Sequence, residues 1–229
     1  MKRVLLASAL LILAAIQQSP AQTPTAAEIL QNMKKQFESV KDYTATLKVA
    51  VDMERMQIPE MQVTIYFKQP DKIHIEAKNF AMVPREAMGV IPAQLIDKFD
   101  ATVVETQQKE NVIVYKLRLI SKPEKGKPVH ESYIWVDGVR WVVIHFESTP
   151  SEVRKVAVDL EYETVDGQYT LPSKIEARMD TQQPADSSAE KTYSPQRLPR
   201  KGTASIIYSD YKVNTGLSDE IFEKKKDSK

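Results

Sequence analysis

Tyr43-Thr44-Ala45-Thr46-Leu47-Lys48-Val49-Ala50-Val51-Asp52-Met53 repeats with period two. Tyr43, Ala45, Leu47, Val49, Val51 and Met53 share one side; Thr44, Thr46, Lys48 and Asp52 take the other. Successive side chains of an extended strand point to opposite faces, so this is a strand with one face on a core and one in water. Met61, Val63, Ile65 and Phe67 repeat the pattern, as do Ile73 and Ile75. The Glu54–Glu60 connection permits a hairpin pairing Met53 with Met61, Val51 with Val63, Val49 with Ile65 and Leu47 with Phe67. That register keeps every apolar side chain on one face, whereas a one-residue slip would turn them all to solvent.

Further strands are expected at hairpin spacing over 101–108, 112–121, 130–136, 139–147, 153–163, 171–180 and 203–213. Turn signals separate them: Lys109-Glu110-Asn111, Pro123-Glu124-Lys125-Gly126, Asp137-Gly138 and Asp166-Gly167. One helix precedes the strands. Thr25-Ala26-Ala27-Glu28 is a capping box, and Ile29, Met33 and Phe37, flanked by Leu30 and Val40, form an apolar stripe. The fold class is therefore mainly β (α+β), a single strongly curved antiparallel sheet of about ten to eleven strands. Its N-terminal helix lies on the concave face.

Upstream, Lys2-Arg3, the apolar run Val4–Ile16 and Ser19-Pro20-Ala21 have the layout of a secretory signal peptide. The run is shorter than the ~20 residues that a membrane span needs. Cleavage is expected after Ala21, leaving residues 22–229 as one exported domain, not lipid-anchored because the chain has no cysteine. Loss of Lys2 and Arg3 from 32 basic residues, against 31 acidic ones, sets the net charge at −1. That balance gives no long-range attraction to nucleic acid. Zero cysteine also excludes disulfides, thiol nucleophiles and cysteine-based metal sites.

Catalytic patterns are absent. His74, His130 and His145 have no ligand spacing. A two-residue Asp137-Gly138 turn would set His130 opposite His145 and Ile134 opposite Trp141, with no third ligand. Asp159, Glu161 and Glu163 alternate with Val158, Leu160 and Tyr162 as a solvated sheet face does. No nucleophile elbow occurs. The expectation is a protein that is not an enzyme, with no metal and no cofactor. Ser218-Asp219-Glu220-Ile221-Phe222 before Lys224-Lys225-Lys226 reads as a short C-terminal helix.

The excess is apolar. The concave face carries Leu47, Val49, Val51, Met53, Met61, Val63, Ile65, Phe67, Ile73 and Ile75, read as the wall of a lipid-binding cavity. Residues 79–99 add Phe80, Met82, Val83, Met88, Val90, Ile91, Leu95, Ile96 and Phe99. Pro84, Gly89 and Pro92 divide that stretch into short helices, read as a movable apolar lid. Methionine suits such a wall because it repacks around varied apolar ligands. Residues 181–201, polar and aperiodic, read as a flexible loop at a sheet edge.

The N-terminal helix followed by Phe67-Lys68-Gln69-Pro70-Asp71-Lys72-Ile73, Val165-Asp166-Gly167 with Leu171-Pro172-Ser173, and Tyr211-Lys212-Val213-Asn214-Thr215-Gly216-Leu217-Ser218-Asp219-Glu220-Ile221-Phe222 resemble the LolA-like outer-membrane lipoprotein-sorting proteins. The resemblance implies an unclosed half-barrel with a helical lid, holding lipoprotein acyl chains in the periplasm. It also implies an inner-membrane donor and an outer-membrane acceptor as partners. Gln69 stands where the family's motif has an arginine that contacts the lid. A monomeric periplasmic carrier of lipoproteins or other lipids is the expected function. The alternative is an envelope-stress sensor, an interaction module on the same fold that binds a protein partner.

Overall fold

The capping box closes as its residue types require. Thr25 Oγ1 accepts the Glu28 N–H at 3.3 Å, and the Glu28 carboxylate accepts the Thr25 N–H at 2.7 Å. This opens α1 (Ala26–Glu38), which buries Ile29, Leu30 and Met33. The computed structural model describes residues 23–54, 56–57, 59–76, 98–126, 128–151, 154–181 and 201–223. The strands are β1 (Asp42–Met53), β2 (Met56–Gln57), β3 (Met61–Lys68), β4 (Lys72–Glu76), β5 (Phe99–Lys109) and β6 (Val112–Ser121), followed by β7 (Glu131–Asp137), β8 (Val142–Ser151), β9 (Arg154–Val165), β10 (Tyr169–Thr181) and β11 (Lys201–Val213). A 3-10 turn at Asp219–Phe222, capped by Ser218, stands where the short C-terminal helix was expected. Lys224, Lys225 and Lys226 lie outside the described residues.

All pairings are antiparallel, in the order β4-β3-β1-β11-β10-β9-β8-β7-β6-β5, with β2 on β1. Among the described residues the edges β4 and β5 do not pair, so the sheet is not closed. Its curvature follows from α1. Phe37, near the helix C-terminus, packs on Phe67 of β3 with ring centroids 5.3 Å apart, while the same helix also meets β5. Thirteen helical residues span about 20 Å. Eight inter-strand steps separate β3 from β5, which is about 38 Å in a flat sheet. One helix reaches both strands only because the sheet curls around it.

Two registers differ from expectation. Met61 lies opposite Val49, Val63 opposite Leu47, Ile65 opposite Ala45 and Phe67 opposite Tyr43. The end of β1 is taken instead by β2, with Met56 opposite Met53. The displacement is even, so the inward set is preserved. The β7–β8 connection is also longer than two residues, since Asp137 pairs with Val142. The Asp137 carboxylate accepts the N–H groups of Val139 and Arg140 at 2.8 and 2.9 Å, and its backbone oxygen accepts the Trp141 N–H. Gly138 is needed because β6 lies against it: a Cβ there would sit 2.8 Å from the Ile113 oxygen. Trp141 is thereby in the turn at φ 54°, not opposite Ile134. His145 faces Trp135, not His130.

The C-terminal segment is a structural clasp. Asn214, at φ 56°, accepts the Lys41 N–H through Oδ1 at 2.7 Å and donates Nδ2 to the Ser39 oxygen at 2.9 Å. Buried Asp42 accepts the Thr215 N–H at 2.8 Å and the Gly216 N–H at 3.1 Å. The Gln69 amide donates to the oxygens of Phe37 and Val40 at 3.0 and 2.8 Å, tying the end of α1 to the β3–β4 turn.

Candidate functional site

The inner face is built of parallel rows, one residue per strand. In one row Met61, Val49, Ile206, Ile175 and Leu160 are successive partners. The next runs Val51, Ala204, Ala177, Val158, Phe146 and Ile134. The third runs Met53, Gly202, Met179, Val156, Ser148 and Ser132.

Burial changes along the strands. Leu47, Val49, Val63, Ile65 and Phe67 are at most 5 % exposed, sealed against α1. This end is closed by aromatic rings: Tyr43 stacks on Phe67 at 5.1 Å and meets Tyr211 edge-on at 5.5 Å. Burial drives the Tyr43 and Tyr211 hydroxyls well above the ordinary tyrosine pKa; they stay neutral. The Tyr211 hydroxyl donates to the Pro172 oxygen at 2.6 Å. One row further on, the covering thins. Val51, Met53, Ala177, Met179, Val156 and Phe146 are only half-buried, as are Met61, Ile73 and Ile75. Of the ten residues read as a cavity wall, five therefore lie in sealed core, Val51 and Met53 border the incompletely covered half, and Met61, Ile73 and Ile75 are half-buried at the start of β3 and on the edge strand β4.

Small side chains deepen that half. Ala204, Ala177 and Gly202 occupy neighbouring inward positions, and a Cβ on Gly202 would lie 3.0 Å from Met53 Cγ. Where β1, β8, β9, β10 and β11 end, a hollow of about 700 Å³ opens. Its described lining mixes inward Val156, Met179, Gly202 and Ser148 with charged neighbours of both signs. Ser132, 4 % exposed, donates to Ser148 Oγ at 3.0 Å. Sequence reading missed this half of the wall. The signal was there, the same period two in β9, β10 and β11, but alanine, glycine and serine are weak hydrophobic markers. Of the expected lid, Phe99 opens β5 and packs on the core; Phe80, Met82, Val83, Met88, Val90, Ile91, Leu95 and Ile96 lie outside the described residues. So do 182–200 of the expected loop; its ends, Thr181 and Lys201, belong to β10 and β11.

Two of the outward carboxylates on β9, Asp159 and Glu161, form ion pairs. Asp159 lies 2.6 Å from His145 Nδ1 and bonds Arg178 Nη2. Partial burial raises its pKa, but the His145 and Arg178 hydrogen bonds outweigh this and hold it below the usual aspartate value. Glu161 pairs with Lys174 at 3.9 Å. Among the described residues, no group of three potential ligands could hold a metal ion, and no helix is long and apolar enough to cross a membrane.

A scan of protein-family models finds no match, and a sequence search of curated proteins finds none either. Solved structures do match in fold. A DUF1329 family protein from Desulfovibrio piger superimposes with a TM-score of 0.57 at 12 % identity, over 86 % of this chain and 95 % of its own. A LolA superfamily protein, NE2245 from Nitrosomonas europaea, gives 0.52 at 12 % identity, over 88 % of this chain and 99 % of its own. Helix, unclosed sheet and these neighbours agree: the chain has the LolA-like fold.

Proposed function

We propose that this protein is a non-catalytic carrier that sequesters acyl chains of lipoproteins or other lipids, exported to the periplasm with its leader removed after Ala21. The observation that carries the reading is the step in burial between Val49, 1 % exposed, and half-buried Val51 in the next row of the same apolar face. An ordinary core would be sealed along its length. Here apolar wall continues beyond the cover of α1, lined by small and flexible side chains that leave room for a guest. Each buried methylene of an acyl chain contributes ~0.8 kcal/mol, so transfer onward requires an acceptor that competes for the chain. The inward polar groups of this half, Ser132 and Ser148, bond each other, and no general base is bonded to either among the described residues.

Protein purified from a periplasmic extract, examined by native mass spectrometry and titrated with a fluorescent fatty acid, tests the reading. Co-purifying acyl species and saturable binding of the probe are expected. Absence of both would overturn it and leave the protein-binding module as the better account.

A further inference from the structure

A second hollow, of about 540 Å³, lies against the polar face of α1. Glu28, Gln31, Asn32 and Lys35 line it from the helix, at the three- and four-residue spacings that share one face. Trp141 lines it from the β7–β8 turn. Ser148, in the larger hollow, stands near the end of β8, whereas Trp141 precedes its start, so the two hollows lie at opposite ends of that strand.

Trp141 holds a left-handed conformation that glycine would adopt at less cost. Its N–H donates to the Asp137 oxygen at 2.8 Å, and Tyr115 stacks beside the ring, 7° from parallel with centroids 6.1 Å apart. Among the described residues the indole N–H has no acceptor, and the side chains of Gln31, Asn32 and Lys35 have no partner. Gln36, elsewhere on the same helix, donates its amide to Thr170 at 3.2 Å, so the unspent amides of α1 are those in the hollow. The Glu28 carboxylate is taken up by Thr25 in the capping box, which leaves the Lys35 ammonium as the unneutralised charge. An aromatic face attracts the slightly positive C–H groups of a hydroxylated ring, and carboxamides both donate and accept, as hydroxyls do. A nucleobase would stack too, but it carries its polar groups on its edge, while the free groups here approach from two elements. Hydroxyls spaced around a saccharide meet both.

We propose that this hollow binds an acidic oligosaccharide. One pyranose ring lies against Trp141, hydroxyls meet the Gln31 and Asn32 amides and the indole N–H, and a carboxylate pairs with Lys35. The site is independent of the carrier reading.

The chain has two tryptophans, so the indole signal that persists in Trp135→Phe belongs to Trp141 and reports the site in proton–nitrogen NMR. Tri-galacturonate is expected to shift that signal saturably and to bind about tenfold tighter than its neutral methyl ester. Lys35→Ala, on the exposed face of α1, is expected to remove the preference for the acid. Asn32→Ala is expected to weaken binding of both probes. Both variants are expected to bind the fluorescent fatty acid as the parent does. Equal binding of acid and ester by the parent, tighter binding of adenosine monophosphate, or indifference to both variants would overturn the proposal. No response to any saccharide, with fatty-acid binding intact, would overturn this site and leave the carrier reading standing; saccharide binding without fatty-acid binding would do the reverse.

Discussion

Val49 and Val51 are two residues apart on one strand face, yet they belong to different environments. Val49 is sealed at 1 % exposure while Val51 is half-buried. Val49→Glu is expected to cost several kcal/mol, because an unpaired carboxylate would enter dry core (~3–5 kcal/mol). Val51→Glu, with water within reach, is expected to leave the fold intact by circular dichroism and to lower fatty-acid binding at least about tenfold. Equal unfolding of both variants in urea would show that the wall is continuous core. Asp137 supplies a second residue-scale test. Partial burial pushes its pKa up, but hydrogen bonds from the Arg140 and Val139 backbone and from the Arg140 guanidinium more than offset that and hold it below the ordinary aspartate value. A carboxyl depressed in the fold stabilises at pH above its unfolded pKa of about 3.9, and the gain is lost as pH falls through the lower folded value. Asp137→Asn is therefore expected to cost about 1 kcal/mol at pH 7. Denaturant midpoints of the two proteins should converge below about pH 4; a gap independent of pH would contradict the assignment.

At the scale of elements, α1 is the component that seals the core. Met33 is 1 % exposed within it, and Met33→Ala is expected to cost about 2–5 kcal/mol in chemical denaturation. Gly202→Leu, on β11, probes the opposite end. Its side chain would displace flexible Met53, whose Cγ is 3.0 Å from the implied Cβ, and occupy the half-covered space. Stability is expected to change by less than ~1.5 kcal/mol while probe binding falls sharply; unchanged binding would place the cargo elsewhere. Element existence was legible in the chain: period two marked β1 and β3–β11, and Thr25 with Glu28 marked the helix start. Register was not, because two even shifts bury the same face, and the choice depended on β2 folding back onto Met53. Asp137-Gly138 misled for a related reason. The dipeptide fits a tight hairpin turn, but here the aspartate caps a longer turn and the glycine makes room for β6.

At the scale of the whole molecule, the apolar face was readable but its division into sealed and open halves was not. That division depends on where a single helix ends against a sheet curled by tertiary contacts, which no local pattern encodes. The motifs behind the family resemblance have a related property. Asn214, Gly216 and Gln69 clasp α1, β1 and β11 together, so they report the scaffold and carry no information about the cargo.

One consequence of the sheet order concerns time. On one side β1 pairs with β2 and β3, its partners in β3 lying 12 to 26 residues away in the chain, and on the other with β11, which begins at Lys201. Until that final strand is made, the protein is two unconnected fans, β4-β3-β1 and β10 through β5, each with a greasy palm exposed. A ribosome delivers residues in order, so the newborn chain waits for its last strand before it can shelter its apolar side, and it needs a chaperone's company during that wait. Truncation before Lys201 is expected to yield an aggregating product; a soluble, cooperatively melting fragment in calorimetry would refute this. A protein proposed to shield the lipids of others must first be shielded itself.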